Sequence, residues 1–225
     1  MVVPVSPPTS AESAPPLSDR ARIRAAYRAH LLRHGAPPAT VFVLAEELGL
    51  SESAFYEQYA TFEAIDRDLF RNFIAEARAQ AEATPEYAAY SVREKLLAFY
   101  YTLVERLRDE RSYIQLKVTR RGLFSKPTPV YLQDAKTAFE QFVEELLMEA
   151  RLNKEVVNRP LISDRYAAGF WYQLLFVLDF WLRDTSANFE RTDEAIEKAV
   201  TLSFDLLGRN PLDSAVEFAR FLWRR

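Results

Sequence analysis

The sequence predicts an all-α fold, and three observations carry that expectation. Ala, Leu, Glu and Arg are plentiful while glycine occurs only 5 times in 225 residues, a balance that suits helix interiors. Apolar residues recur at three- and four-residue spacing, with no strand-like alternation between turn dipeptides. Ser, Thr, Asp, Gly and Pro fall where caps and stops belong. The pattern divides into a small three-helix N-terminal module and a larger C-terminal helical bundle.

Residues 1–17, MVVPVSPPTSAESAPPL, bury too little apolar surface to fold and are expected to form a disordered arm. Ser18 or Asp19 caps a first helix that runs to His34, with Ile23, Ala26, Tyr27, His30 and Leu31 on its inner face. Gly35 ends it, and Pro37-Pro38 forbids continuation. Thr40 caps a short helix to Leu48, and Gly49 permits the left-handed turn that follows. Ser51 caps a third helix over 52–59. A long helix over 62–82 stops before Pro85. Further helices are predicted at 92–109, 112–123, 130–151, 162–184 and 193–207, with a stop at Gly208-Arg209-Asn210-Pro211 and a last helix over 212–225. The domain reading is an arm at 1–17, a helix-turn-helix unit at 18–70, a ligand-binding and dimerisation unit at 71–210, and an amphipathic tail at 211–225.

Two short helices joined by a glycine turn are the helix-turn-helix pattern, whose second helix can enter the major groove. The segment reads T-V-x-x-L-A-x-x-L-G-L-S-x-x-x-F-Y-x-x-Y, then F-E-A-I. This closely resembles the N-terminal domain of the TetR family of bacterial regulators. Thr40, Val41, Leu44, Ala45, Gly49, Leu50, Ser51, Phe55, Tyr56, Tyr59, Glu63 and Ile65 fall in register with the family pattern over roughly residues 18–70. The resemblance implies that Leu44, Ala45, Leu50, Phe55 and Tyr59 form a small core. It also implies that Thr40, Ser51 and Tyr56 donate to DNA phosphates, that Ser53 opens the recognition helix, and that the start of the first helix touches the backbone through Arg20, Arg22 and Arg24. Gln58 has the chemistry to read adenine, and Glu52 or Glu57 to accept from cytosine.

The charge pattern opposes the shape. From residue 36 to 65 there is no Lys or Arg, and the charges are Glu46, Glu47, Glu52, Glu57 and Glu63. Where the family has Lys before the glutamate of the connecting helix, this chain has Phe62. Each anion near a phosphate is repulsive by roughly 1 kcal/mol in water. A net charge of −3 excludes a general nucleic-acid coat. Two readings therefore stand. One is a DNA-binding regulator, a repressor responding to a small hydrophobic effector. The other is a chain of the same fold that has lost DNA binding and serves as a lipid- or partner-binding accessory protein.

In the C-terminal part the aromatics belong to a bundle core or line an apolar pocket between helices. The resemblance implies such a pocket, for which Phe99, Phe124, Phe139 and Trp171 are the candidates. The 162–184 helix is apolar nearly all round in its middle, the mark of a fully buried or interface helix. The resemblance implies that it pairs with a second copy of the chain together with 193–207, through Phe176, Phe180 and Trp181. In the tail, Leu212, Ala215, Val216, Ala219, Leu222 and Trp223 make a stripe flanked by Arg220, Arg224 and Arg225. That stripe packs on the domain or rests on a membrane or partner protein.

No cysteine occurs, which excludes disulfides and thiolate chemistry and is compatible with a reducing cytoplasm. No run spans a bilayer, and the N-terminus lacks a signal-peptide pattern. His30 and His34 lie one turn apart, but no third metal ligand and no catalytic motif accompany them. The expectation is a cytoplasmic non-enzyme without metal or cofactor.

Overall fold

The computed structural model describes residues 18–121, 123–124, 127–153 and 166–207. The predicted arm at 1–17 and the predicted tail helix at 212–225 both lie outside these. Among the described residues the regular structure is helical throughout. α1 is Asp19–His34, α2 Val41–Leu48, α3 Glu52–Gln58, α4 Phe62–Glu82, α5 Val92–Leu107, α6 Arg111–Arg121, α7 Gln133–Leu152, α8 Tyr166–Arg183 and α9 Glu190–Leu207.

Ser18, Thr40 and Ser51 cap the helices expected of them, and Thr61 caps α4 in addition: their hydroxyls accept from Ala21, Val43, Ala54 and Ala64 N–H respectively. Ser91 and Glu94 close a reciprocal capping box at the start of α5. Gly35 and Gly49 end α1 and α2 in the left-handed region, each at φ 66°, a conformation that costs an L side chain about 1–2 kcal/mol.

The differences lie at joints set by side chains from elsewhere in the chain. Short 3-10 turns at Tyr87–Ala89, Val130–Leu132 and Ala187–Phe189 lead into α5, α7 and α9. α5 ends at Leu107 rather than 109, α7 opens at Gln133 rather than 130, and α9 opens at Glu190 rather than 193. For α9 the cause is Asp184. Its carboxylate accepts from Ser186 N–H at 2.8 Å, Ser186 Oγ at 2.7 Å, Thr192 N–H at 2.9 Å and Thr192 Oγ at 2.7 Å. Four donors on one carboxylate hold the α8–α9 turn.

α4 is the common spine. It packs on α1, and also on α5 and α7. Its Asp66 is buried, and the carboxylate accepts from Tyr27 on α1 at 3.1 Å, from Tyr113 on α6 at 2.6 Å, and from Lys117 on α6. A buried carboxylate is costly unless paired and hydrogen-bonded, and here the donors come from both parts of the molecule. Burial and the adjacent Asp66 push the Tyr113 hydroxyl far up, so it stays a donor.

Beyond α4 the core is aromatic. Phe99 meets Phe139 at 5.6 Å and Phe142 at 4.9 Å between ring centroids, and Phe139 meets Trp171 at 6.3 Å. The rings are tilted to one another by 37° to 52°, away from the face-to-face sandwich that aromatic pairs disfavour.

Two outcomes follow. Phe139→Ala should lower the unfolding free energy by about 3–5 kcal/mol, read from urea denaturation, because it empties a fully packed site. Burial alone would raise the Asp184 carboxyl, but the Thr192 and Ser186 hydrogen bonds prevail and hold it down at about 2. A depressed folded-state pKa gives stability that is full above the ordinary carboxylate range and is lost as pH falls toward 2. Acid melting between pH about 4 and 2 should therefore show a smaller loss in Asp184→Asn than in the parent chain.

Candidate nucleic-acid interface

α3 is seated by its buried side, and that decides what it presents. Phe55 is fully buried beside Tyr59 and Phe62, with ring centroids 6.4 and 5.9 Å away. Leu44, Ala45 and Tyr59 complete the small core, and Leu50 packs partly buried against it. With Phe55 inward, Glu52, Ser53, Tyr56 and Glu57 are exposed. Tyr56 is 53% exposed, and Phe42 on α2 is 56% exposed. Thr40 and Ser51 are exposed too. Each uses its hydroxyl oxygen to accept a cap bond and keeps its own hydrogen for a second partner. Gln58 is half-buried, and its backbone carbonyl accepts from Arg20 at 3.1 Å.

The arginines of α1 are held by the protein itself. Asp68 on α4 is buried, and its carboxylate accepts from Arg20 Nε at 3.3 Å, Arg24 at 3.3 Å, Arg71 at 3.0 Å and the Tyr59 hydroxyl at 2.5 Å. The Arg20 guanidinium also stacks 4.4 Å from the centre of the Tyr59 ring. Burial works to raise the Asp68 carboxyl, yet the Arg20 and Tyr59 hydrogen bonds and the nearby guanidiniums hold it below the ordinary carboxylate range. Arg22 donates to Asp19 at 2.8 Å and to the Leu48 carbonyl at the end of α2, also at 2.8 Å. Arg20, Arg22 and Arg24 therefore lock α1 against α2, α3 and α4. Sequence reasoning assigned them to DNA phosphates. It missed Asp68, whose placement on the inner side of α4 redirects two of them.

Arg67 and Arg71, which sequence reasoning also passed over, lie one turn apart on α4. They share a cleft of about 210 Å³ with Arg20, Gln58, Tyr59, Asp68 and Asp134. Arg67 donates through Nε at 3.0 Å to Asp134 at the start of α7. Their i, i+4 spacing was the available signal. Elsewhere on the module, the His30 and His34 rings meet at a tilt of 42° with centroids 4.3 Å apart, and His30 Nδ1 lies 3.6 Å from Glu47. Among the described residues no group of three ligands is placed to hold a metal ion.

In the bundle the structure brings Phe99, Phe139 and Trp171 together and leaves Phe124 apart. The first three are buried in the closed packing described above, while Phe124 is 48% exposed after α6. The void that Trp171 lines, with Phe70, Leu103, Ile114 and Leu178 among its walls, measures about 20 Å³. That is room for one water, so these residues form core in this state and not an open pocket. The three interface candidates also separate. Trp181 is fully buried within the chain, 5.5 Å from Arg111 and 6.2 Å from Phe189, which corrects its placement at a subunit contact. Phe176 is 46% exposed and Phe180 half-buried. Both line an apolar groove of about 630 Å³ between α8 and α9, with Ala195, Ala199, Leu202 and Leu206. The helix turn carries Trp181 to the opposite side from Phe176.

Residues 95–222 match the family "Tetracyclin repressor-like, C-terminal domain". A solved structure from Shewanella sp. PV-4, described as a TetR-family transcription regulator, aligns with a TM-score of 0.56 at 12% identity, covering 86% of this chain and all of that one. A protein of unknown function from Rhodococcus sp. RHA1 aligns at 0.57 and 16% identity, over 88% of this chain and 100% of the other. A bacterial regulatory protein in the TetR family, from Rhodococcus RHA1, aligns at 0.53 and 15% identity, over 86% and 100%. No curated protein matches the chain.

The arginine geometry separates two kinds of substitution. Arg22→Ala removes a charged donor from the Leu48 carbonyl and should cost about 1.5–3 kcal/mol of stability. Tyr56→Ala and Ser53→Ala, at exposed positions, should stay within about 0.5 kcal/mol of the parent. Parallel denaturation curves check both. Equal losses at Arg22 and Tyr56 would contradict the assignment.

Proposed function

This chain belongs to the TetR-like family, and from that premise we propose that it is a homodimeric transcriptional regulator that reads DNA with α3 and responds to a small hydrophobic effector. It is a repressor that acts in the cytoplasm by occupying an operator, and it performs no catalysis and uses no cofactor. The observation that carries this reading is the apolar α8–α9 face. A contiguous exposed apolar surface of this kind marks an interaction site, and an isologous pairing through Phe176, Phe180, Leu202 and Leu206 gives a two-fold dimer. Such a dimer supplies two reading heads for two half-sites. Within each head, Thr40, Ser51 and Tyr56 donate to phosphates, while Ser53 and Gln58 face base edges. The effector enters the apolar void lined by Trp171, widening it at the expense of the aromatic packing around Phe99 and Phe139. Because α4 belongs to both parts of the molecule, any shift of the bundle against α4 alters the separation of the heads.

One observation favours a second reading. The exposed side of α3 carries Glu52 and Glu57, and the arginines of α1 are engaged within the protein. On that reading the chain keeps the fold, has lost DNA binding, and serves as a lipid- or partner-binding accessory protein, with the 212–225 segment contacting a membrane surface or partner protein.

Retention of sheared genomic DNA by the purified chain tests the two. A regulator that relies on hydroxyl donors more than on cations should retain particular fragments with a shallow salt dependence, a log–log slope of about −2 to −4. Tyr56→Ala should weaken retention about tenfold, the loss of one charge-assisted hydrogen bond. No retention at low salt removes the regulator reading in favour of the accessory one. The dimer is tested separately by sedimentation. The parent chain should sediment as a dimer at micromolar concentration and Leu202→Glu as a monomer, and a monomeric parent would overturn the interface.

A further inference from the structure

We propose that the arginine cleft between α4 and the ends of α1, α3 and α7 binds a phosphate group. The inference goes beyond DNA reading by α3 and does not depend on it. Arg20, Arg67 and Arg71 line the cleft, and Arg24 joins them on Asp68. The cleft itself is lined by three guanidiniums and two carboxylates, Asp68 and Asp134, an excess of one positive charge, and Arg24 reaches Asp68 from beyond the lining.

Asp68 is over-subscribed. A carboxylate offers about four lone-pair sites. The Asp68 oxygens already meet Arg20 Nε at 3.3 Å, Arg20 NH2 at 3.1 Å, Arg24 at 3.3 Å, Arg71 at 3.0 Å and Tyr59 Oη at 2.5 Å. Each arginine carries five N–H donors, and one buried acid cannot serve them all. Arg71 is the most accessible, with its side chain 52% exposed, and Arg67 and Arg20 follow at 39% and 44%. Planar guanidiniums converging on one concavity match the oxygens of a phosphate group, which accept in bidentate fashion. The volume of about 210 Å³ falls below the about 300–1,000 Å³ of an organic-ligand pocket, so it suits a phosphate group rather than the body of an effector.

The cleft joins parts that move relative to one another in any bundle-to-head rearrangement. Arg20 comes from α1, the Gln58–Ala60 backbone from the end of α3, and Asp134 from α7. A phosphate seated on Arg20, Arg67 and Arg71 ties the reading module to the bundle. Its source is either a phosphodiester of a DNA backbone running along this flank or a diffusible phosphate ester.

Titration calorimetry of the full chain with inorganic phosphate, at ionic strength balanced with chloride, is the test. Saturable binding is expected. It should be weakened about tenfold or more in Arg71→Ala, the loss of charge-assisted hydrogen bonds to the anion, and only partly in Arg71→Lys, which keeps the charge but not the fork. Arg71 is one of four partners of Asp68, and in its absence Arg20, Arg24 and Tyr59 still donate to that carboxylate, so the variant folds. Arg78→Ala, whose pairs with Glu82 and Glu145 lie elsewhere, should bind phosphate as the parent does. If random-sequence duplex displaces the phosphate, the backbone is the source; if it does not, a diffusible phosphate ester is. No saturable binding, or binding unchanged in both Arg71→Ala and Arg67→Ala, overturns the proposal. Phosphate binding that persists without fragment retention separates this site from the operator reading.

Discussion

The buried carboxylate of Asp66 is the interaction on which the arrangement of the molecule depends. It sits on α4, the helix shared by the two parts, and its three donors arrive from α1 and α6. A charge in this position is tolerated only while all its partners are in place, because a buried carboxylate that loses one is left with the full desolvation penalty. The reading module and the bundle are thereby held in one relative orientation. Arg28 on α1 reaches Glu110 ahead of α6 and supports the same junction from the surface, where an ion pair counts for less.

Two residues further along α4, Asp68 does the corresponding work within the module, and it changes the electrostatics of the outer face. By drawing Arg20 and Arg24 onto itself it consolidates the three-helix unit and holds those cations toward the flank of α4. The outer side of α3 is acidic and hydroxyl-bearing. The positive charge is displaced around the flank of α4, where Arg67 and Arg71 add to it.

The bundle distributes its aromatics by a similar logic. Those on the α4, α5 and α7 side of α8 close on one another into solid packing, leaving a void of about 20 Å³. Those on the other side, Phe176 and Phe180, pair with each other at 6.2 Å between ring centroids and border the groove toward α9. A single helix that is apolar nearly all round thus serves a core with one side and an open face with the other. Gln173 stands at the seam. It accepts from the buried Tyr100 hydroxyl at 3.0 Å and donates to Ala199 O and Ser203 on α9, which ties α8 to both α5 and α9.

Local chemistry in the sequence determined the helices, their caps and the helix-turn-helix. Ser18, Thr40 and Ser51 accept the cap bonds their positions foretold, Gly35 and Gly49 turn left-handed where the chain must reverse, and Phe55 and Tyr59 point inward as their spacing requires. These features depend on residues within a few positions of one another. Only the tertiary structure decided the employment of Arg20, Arg22 and Arg24, because their acceptors, Asp68, Gln58 and Leu48, lie 26 to 48 positions away. The same holds for Trp181, which spacing alone could not separate from Phe176, and for the arginine cleft, which assembles from α1, α3, α4 and α7. Helical periodicity tells which residues share a face. Whether that face meets a carboxylate, a core or solvent depends on the packing of helices distant in sequence.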